Sequence, residues 1–344
     1  MQIEIDPSSK TPIYKQLISS IKSLIQHNRL QPGDELPSMN QLSSDLEISK
    51  ETVKKAYYIL RDQGMIEPAQ GKGFYVSNSA KAHLKVFVLF DYINTYKKEL
   101  FQAFSEPLAH TADFVIRLFH QDIDLFEKFI VENLGHFDYY VITPHLPLSE
   151  EIQKRVIRVL KKIPNRQLVI LDRNPEGLKG NYIAVFQDFE NDIYDGLKQA
   201  LPSLKAYSKL NVYTMEGSLY GSLVKKGIQK FCSAYKIKYK IFNKTAIDDL
   251  ININKGECYF ILNGQLDKEL IDIVRIAKKQ GLKIGKDIGL LSFNESPINE
   301  IILDGLSVMS TDFRKMGTIA AQLILDQKFK KVKCDFKFIK RNTF

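Results

Sequence analysis

Lys50, Lys54, Tyr58 and Arg61 recur at helical spacing in the run SKETVKKAYYILRDQ, opposite Val53, Ala56, Tyr57 and Leu60. At 3.6 residues per turn the two sets occupy opposite faces of one helix. A basic face meets phosphate, and an open helix start adds backbone N–H groups and the positive end of a dipole. A second group of residues follows a different pattern, standing where apolar runs end. These are Asp91 and Tyr92 after LKVFVLF, Thr143 and His145 after DYYVI, Asp172 and Arg173 closing QLVILDR, and Asp188 further on. Glu216, Tyr220, Asn263, Asn294 and Glu295 stand in corresponding places later in the chain. Carboxylates and amides take paired hydrogen bonds from hydroxyl groups, and aromatic faces cover C–H surfaces, so this set suits a small polyhydroxylated ligand. Plainer readings stay open beside these. The basic stripe is also a solvated helix face, Asp188 a helix cap, His145 a surface-loop histidine, Tyr92 plain surface, and Asp172 with Arg173 a structural ion pair.

The elements that position these residues are legible in the spacing. Ile13, Leu17, Ile21, Leu24 and Ile25 make 12–26 an amphipathic helix. LQPGDELPS, with Pro32, Gly33 and Pro37, is a turn. Ser38 with Gln41 has the spacing of a capping box for a second helix that buries Leu42 and Leu46. After the tight turn at Glu47-Ile48, Ser49 caps the third helix and Gly64 ends it. MIEP and GFYV, separated by AQGKG, form a hairpin. Three helices and a hairpin in this order predict a winged helix-turn-helix over 1–76. SNSAKAH (77–83) is small and polar, a linker.

From 84 onward strands and helices alternate. Strands are predicted at LKVFVLFDY, DFVIRLF, DYYVITP and QLVILDR, with helices at 95–110, 123–134 and 149–162. A second set follows: helix DIYDGLKQAL, strand NVYTM, helix 218–235, strand KYKIF, a helix near 246–253, strand CYFILN, helix 267–279 and strand IGLLSFN. Two βα sets predict two Rossmann-like lobes with a ligand cleft between them, outside the carboxyl ends of the strands.

The formal net charge is +9, yet residues 1–80 hold nine lysines and arginines against nine acids, so the surplus lies elsewhere. Part of it is the tail KFKKVKCDFKFIKR (328–341), which reads as a terminal strand with solvated lysines. Nucleic-acid binding therefore rests on local arrangement. Cys232, Cys258 and Cys334 are far apart, without CxxC or metal-ligand spacing, as expected of reduced thiols in a cytoplasm. No apolar run reaches the ~18–20 residues of a membrane span, and the N-terminus does not resemble a secretory signal. No GxSxG, HExxH or Walker sequence is present, so neither enzyme chemistry, cofactor nor metal is expected.

Residues 10–76, through TPIYKQL and LQPGDELPSMNQLSSDLEISKETVKKAYYILRDQGMIEPAQGKGFYV, resemble the GntR family of bacterial regulators. The resemblance implies DNA contacts from Ser38 and Asn40, from Ser49, Lys50, Thr52 and Lys54, and from Gly71 and Lys72 in the wing. Asn40, Lys50 and Lys54 stand where the family usually has arginine. Lysine meets phosphate but lacks the fork that reads guanine bidentately.

CYFILNGQLDKELIDIVRIAKKQGLKIGKDIGLLSFNES and LSVMSTDFRKMGTIAAQLIL resemble the LacI-type sensor domain. That implies a periplasmic-binding-protein type I fold over 84–344, with lobes meeting near 186–190 and 290–312. Asp172-Arg173 matches the family's Asp-Arg pair, while Asn263-Gly264 replaces its Asn-Asp. The family's frequent arginine early in the helix after the fifth strand is absent, Ser222, Leu223 and Val224 standing there, which favours a neutral ligand. Together the resemblances imply a homodimeric repressor of sugar-utilisation genes. It would bind an inverted-repeat operator and be released by a neutral monosaccharide such as arabinose or fucose. Two alternatives remain open. One is a GntR-headed protein with a pyridoxal cofactor, although the chain after 84 is short for that fold. The other is an activator with a non-sugar ligand.

Overall fold

The computed structural model describes residues 3, 5–9, 11–26, 29–69, 73–77, 83–215, 219–244, 253–262 and 268–344. The first unit contains α1 (Ile13–Gln26), β1 (Glu35–Leu36), α2 (Met39–Asp45), α3 (Lys50–Asp62), β2 (Ile66–Ala69) and β3 (Gly73–Val76). Leu17 and Ile21 of α1 meet Val53, Ala56, Tyr57 and Leu60 of α3, all fully buried, with Leu36 and Val76 closing the core. Tyr57 is buried yet keeps a partner, its hydroxyl donating to the Pro37 carbonyl at 2.8 Å. Two expectations change here. The turn before α2 contains β1, which pairs with β3 and makes a three-stranded wing. Ser38 caps α2 by accepting from Gln41 N, but the Gln41 side chain bonds Asp45 at 2.6 Å, one turn on, so the box is half closed.

The rest of the described chain forms two six-stranded sheets. In chain order the elements are β4 (Leu84–Phe90), α4 (Thr95–Ser105), β5 (Ala112–Leu118), α5 (Ile123–Asn133), β6 (Tyr139–Ile142), α6 (Glu150–Leu160), β7 (Leu168–Asp172) and β8 (Ile183–Phe186). Then follow α7 (Phe189–Leu204), β9 (Leu210–Met215), α8 (Gly221–Tyr235), β10 (Tyr239–Lys244), β11 (Cys258–Ile261), α9 (Lys268–Lys279), β12 (Gly289–Phe293) and β13 (Ser307–Thr311). The chain closes with α10 (Phe313–Leu325), β14 (Lys331–Lys333) and β15 (Phe336–Ile339). One sheet runs β14-β8-β7-β6-β4-β5 and the other β10-β9-β11-β12-β13-β15, parallel throughout except where β15 pairs with β13. Both contain the doubly wound order in which the first strand lies between the second and third. The apolar strands are buried on both faces, as parallel strands covered by helices must be. The predicted helix near 246–253 falls almost wholly outside the described residues.

The sequence reading missed β8, and it took the basic tail as one strand. The tail is two: β14 joins the first sheet and β15 the second. The chain therefore passes between lobes three times, at 186–189, 311–313 and 333–336, where the sequence had indicated two passages. The α10 helix belongs to the first lobe, packing against α4 so closely that a Cβ on Gly317 would strike the Leu100 carbonyl. The α1 helix touches the same lobe: Lys15 Nζ donates to the Gly135 carbonyl at 3.1 Å, and the Gln327 amide bonds Ser23.

Candidate nucleic-acid interface and interlobe ligand site

The outer face of α3 carries the basic set. Ser49 caps the helix, accepting from Thr52 N at 3.2 Å. Lys50 is exposed. Lys54 lies 3.7 Å from Glu51, an exposed pair of the kind worth little in water and easily exchanged for a phosphate. The Lys54 ammonium sits 5.9 Å from the Tyr58 ring centre and the Arg61 guanidinium 4.7 Å from it, so the three make one continuous basic and aromatic surface. Ser38 and Asn40 are exposed at the start of α2, and Gly71 and Lys72 lie outside the described residues.

The strand ends gather a buried charge network. Asp91 follows β4 and Thr143 and His145 follow β6, flanking the point where strand order reverses, and Asp172 ends β7. The Lys97 ammonium bonds Asp91 Oδ1. His145 lies between two carboxylates, Nδ1 at 3.5 Å from Asp91 and Nε2 at 2.7 Å from Asp172 Oδ2. Nε2 and Oδ2 are paired by charge, and neither has another hydrogen-bond partner among the described residues. Gln187 donates its amide to Asp172 Oδ1. From the other lobe Tyr220, the residue before α8, sets its ring edge-on to His145 at 4.9 Å and stacks on Phe189 at 4.5 Å. The Tyr220 hydroxyl is buried without a hydrogen-bond partner among the described residues. Arg173 reaches over the same ring at 5.5 Å and donates to Gln153 at 2.8 Å.

Burial works against every charge in this group, and the charges overcome it in concert. Burial alone would raise the Asp91 carboxyl, but the His145 ring and the Lys97 ammonium hold it below the ordinary carboxylate range. Asp172 is likewise lowered against burial, by His145, Lys97 and the Gln187 amide. His145 is raised above 6.5 although burial opposes it, chiefly by the Asp172 charge. Burial pushes the Tyr220 phenol up.

The sequence-predicted ligand residues thus divide. Asp91, Thr143, His145, Asp172, Arg173 and Tyr220 come together, and His145 is no surface histidine, being 6% exposed. Tyr92 points away, 44% exposed with its hydroxyl on the His120 carbonyl. Asp188 caps α7 through Asn191, and Glu295 is held by Arg341 at 2.7 Å. Asn294 adopts a left-handed backbone, φ +67°, with its Oδ1 buried and unpartnered among the described residues. Glu216 and Asn263 lie outside the described residues. Sequence reasoning missed Lys97 and Gln187. The register could have found Lys97, because the first turn of a helix after a strand faces back to that strand's carboxyl end.

A winged helix-turn-helix beside a two-lobed α/β domain defines the class of architecture. Residues 13–76 match the family described as bacterial regulatory proteins, gntR family, and 260–333 match the periplasmic binding protein-like domain. The chain therefore carries a gntR-family helix-turn-helix domain at its N-terminus and a periplasmic-binding-protein-like domain in its C-terminal part. Among relatives, the HTH-type transcriptional repressor YtrA of Bacillus subtilis is 44% identical over 82 residues, 24% of this chain and 63% of that protein. The mannosyl-D-glycerate transport/metabolism system repressor MngR of Escherichia coli is 37% identical over 65 residues, 19% of this chain and 27% of that one. The chain thus spans less than two thirds of these relatives, and the likeness lies in the head. The dimeric Lac repressor superposes with TM-score 0.59 at 14% identity, over 76% of this chain and 98% of that one. A periplasmic binding protein/LacI transcriptional regulator from Alkaliphilus metalliredigens, complexed with D-xylulofuranose, gives 0.57 at 13% identity over 75% and 98%. At such identities these likenesses show the fold. The relatives and neighbours named here are regulators, not enzymes.

Proposed function

We propose that this protein is a transcriptional repressor that binds an inverted-repeat operator as a homodimer and is released by a small neutral monosaccharide, a pentose or deoxyhexose such as arabinose or fucose. In this reading residues 1–76 are the DNA-binding head, 77–83 the linker and 84–344 the sensor, and the protein works in the cytoplasm. The observation that carries the proposal is the pairing of two surfaces on one chain. A capped helix presents Lys50 near its start and Lys54 and Arg61 around an exposed aromatic ring, and a polar-aromatic cluster lies where two parallel sheets end. The names of YtrA and MngR as repressors support the direction of regulation. Sugars bound to neighbours of the same fold, D-xylulofuranose and glucose, support the ligand class.

The pairing of charges within the cluster supports a neutral ligand, Arg173 being the one cation of the group not matched by a carboxylate of it. Lys97 and His145 offset Asp91 and Asp172, so an added anion would face Arg173 without a second cation from this group. Two-fold symmetry follows from footprint: one short recognition helix reads few base pairs, and pairing doubles them. Titration of the full chain against DNA fragments selected from random sequence, with and without L-arabinose or L-fucose, tests the reading. The expected result is a selected inverted repeat whose affinity falls ~5–150-fold with the active sugar. Failure to select any sequence refutes the DNA assignment, and a response confined to phosphorylated sugars refutes the neutral ligand.

A further inference from the structure

Gln187 stands at the first passage between lobes, and its side chain is used at both ends. The amide nitrogen donates to Asp172 Oδ1 in the cluster, and the amide oxygen accepts from Thr311 Oγ1 at 2.8 Å at the second passage. All three side chains are buried: Gln187 is 7% exposed, Asp172 0% and Thr311 1%. The amide cannot turn over without setting its oxygen against the Asp172 carboxylate, acceptor to acceptor, and losing either bond in this environment leaves a costly unpaired group. Asp172 itself has a left-handed backbone, φ +71°, an arrangement that a non-glycine residue holds only where its surroundings enforce it. Gln187 N donates to the Asp172 carbonyl at 3.0 Å, which fixes that arrangement. The passages are also stitched together, Cys334 N donating to the Phe186 carbonyl at 2.7 Å and Asp312 N to the Asp335 carbonyl at 3.1 Å.

We propose that Gln187 is the positioning residue that couples occupancy of the cleft at Asp172 to the relative orientation of the two lobes, through Thr311. The proposal rests on the reading of the cleft as the ligand site. A ligand hydroxyl drawn to Asp172 Oδ2 works on a carboxylate whose other oxygen is tied to the hinge, so the carboxylate cannot reorient without disturbing the Gln187–Thr311 bond.

The test has two arms. The first needs no ligand: thermal unfolding of the full chain carrying Asp172→Asn, Thr311→Val and both, in the parent and in a Gln187→Met background. Residues coupled through one network are non-additive, so the double variant should depart from the sum of the singles by about 2–4 °C, and the departure should vanish with Gln187→Met. Additive melting shifts in the parent overturn the relay whatever the cleft binds. The second arm uses L-arabinose, with L-fucose in parallel. Thr311→Val should bind the sugar within about threefold of the parent, while the sugar-induced loss of operator affinity falls below about twofold. Thr311→Ser, which keeps the hydroxyl, should restore it, which separates the relay from a merely weakened fold. Undiminished coupling in Thr311→Val overturns the proposal. If neither sugar binds the parent, the ligand assignment fails, and the melting cycle still decides the relay.

Discussion

Replacing His145 with glutamine removes the cation that two buried carboxylates share. Asp91 keeps Lys97 in direct contact, but Asp172, fully buried, keeps as direct partner only the neutral Gln187 amide, with the Lys97 charge acting on it from further away. Breaking a buried pair from one side costs about 3–5 kcal/mol, because the surviving charge stays out of water. At about 2–4 °C per kcal/mol for a unit of this size, the sensor transition should fall by roughly 6–20 °C in calorimetry at pH 5.5. The pH dependence sharpens the test. His145 titrates above its ordinary 6.5 in the fold, so its contribution is complete below 6.5 and is lost as pH rises through the folded value. Asp91 and Asp172 titrate below their ordinary 3.8, so theirs is present above 3.8 and is lost as pH falls. Between about pH 4 and 6.5 the network is complete. Above it the parent approaches the variant, and the gap between them should narrow as pH rises through the folded value of His145. A gap that stays constant from pH 5 to 9 means that His145 titrates alike folded and unfolded, a gap that widens as pH rises from 5 to 6.5 means that it is held neutral in the fold, and a variant as stable as the parent at pH 5.5 refutes the buried-pair argument itself.

Lys50→Ala and Lys54→Ala should each weaken operator binding and lower the slope of log affinity against log salt by about one unit per lost phosphate contact; unchanged slopes in anisotropy titrations would remove α3 from the interface. Gly317→Ala gains up to about 1 kcal/mol of helix propensity, but its Cβ meets the Leu100 carbonyl, so a net loss of about 1–3 kcal/mol should appear in denaturant titration, and a stabilised variant would contradict the close α10–α4 packing. Burial pushes the Cys232 and Cys334 thiols up to about 12 and Cys258 well above its usual value, so native protein should resist thiol reagents at pH 8 until denatured.

The head was legible because each local signal there agrees with the next. Val53, Ala56, Tyr57 and Leu60 were read as the inner face of α3 from spacing alone, and all four are fully buried. The lobes were legible as alternation, since apolar runs such as LKVFVLF leave little choice but a buried parallel strand. What spacing could not show was partnership across the sheets. IAVF is short and lies between polar stretches, so β8 escaped notice. The tail KFKKVKCDFKFIKR has one strand-like pattern but two sheets to join, and nothing in its residues says that the chain crosses at Cys334. Asp91, His145 and Asp172 were legible as strand-end residues, whereas Lys97 and Gln187 acquire meaning only when three strand ends converge. Asp188 and Tyr92 occupy the same kind of position but engage Asn191 and the His120 carbonyl, so position alone could not separate a member of the cluster from a helix cap.

The third passage changes how a signal could leave the cleft. The passages are stitched by the Phe186–Cys334 and Asp312–Asp335 bonds, an arrangement that restrains twist and favours hinge motion between the lobes. Thr311 lies at that hinge, and α10 begins two residues later, extending about 20 Å at 1.5 Å per residue. Its far end leads to Gln327, whose amide bonds Ser23 on α1, while Lys15 of the same helix holds the Gly135 carbonyl. Because Gly317 lets α10 lie directly on α4, this helix moves with the first lobe as one body. A ligand that rotates the second lobe against the first therefore acts on α10 at the Thr311 end, and the head is fastened at the other. Beyond the covalent connection, the Lys15–Gly135 and Gln327–Ser23 contacts join α1 to the first lobe. On the proposed reading, a change of lobe angle would reach the recognition helix through packed helices, with α1 buried against α3 at Leu17 and Ile21 as the last link.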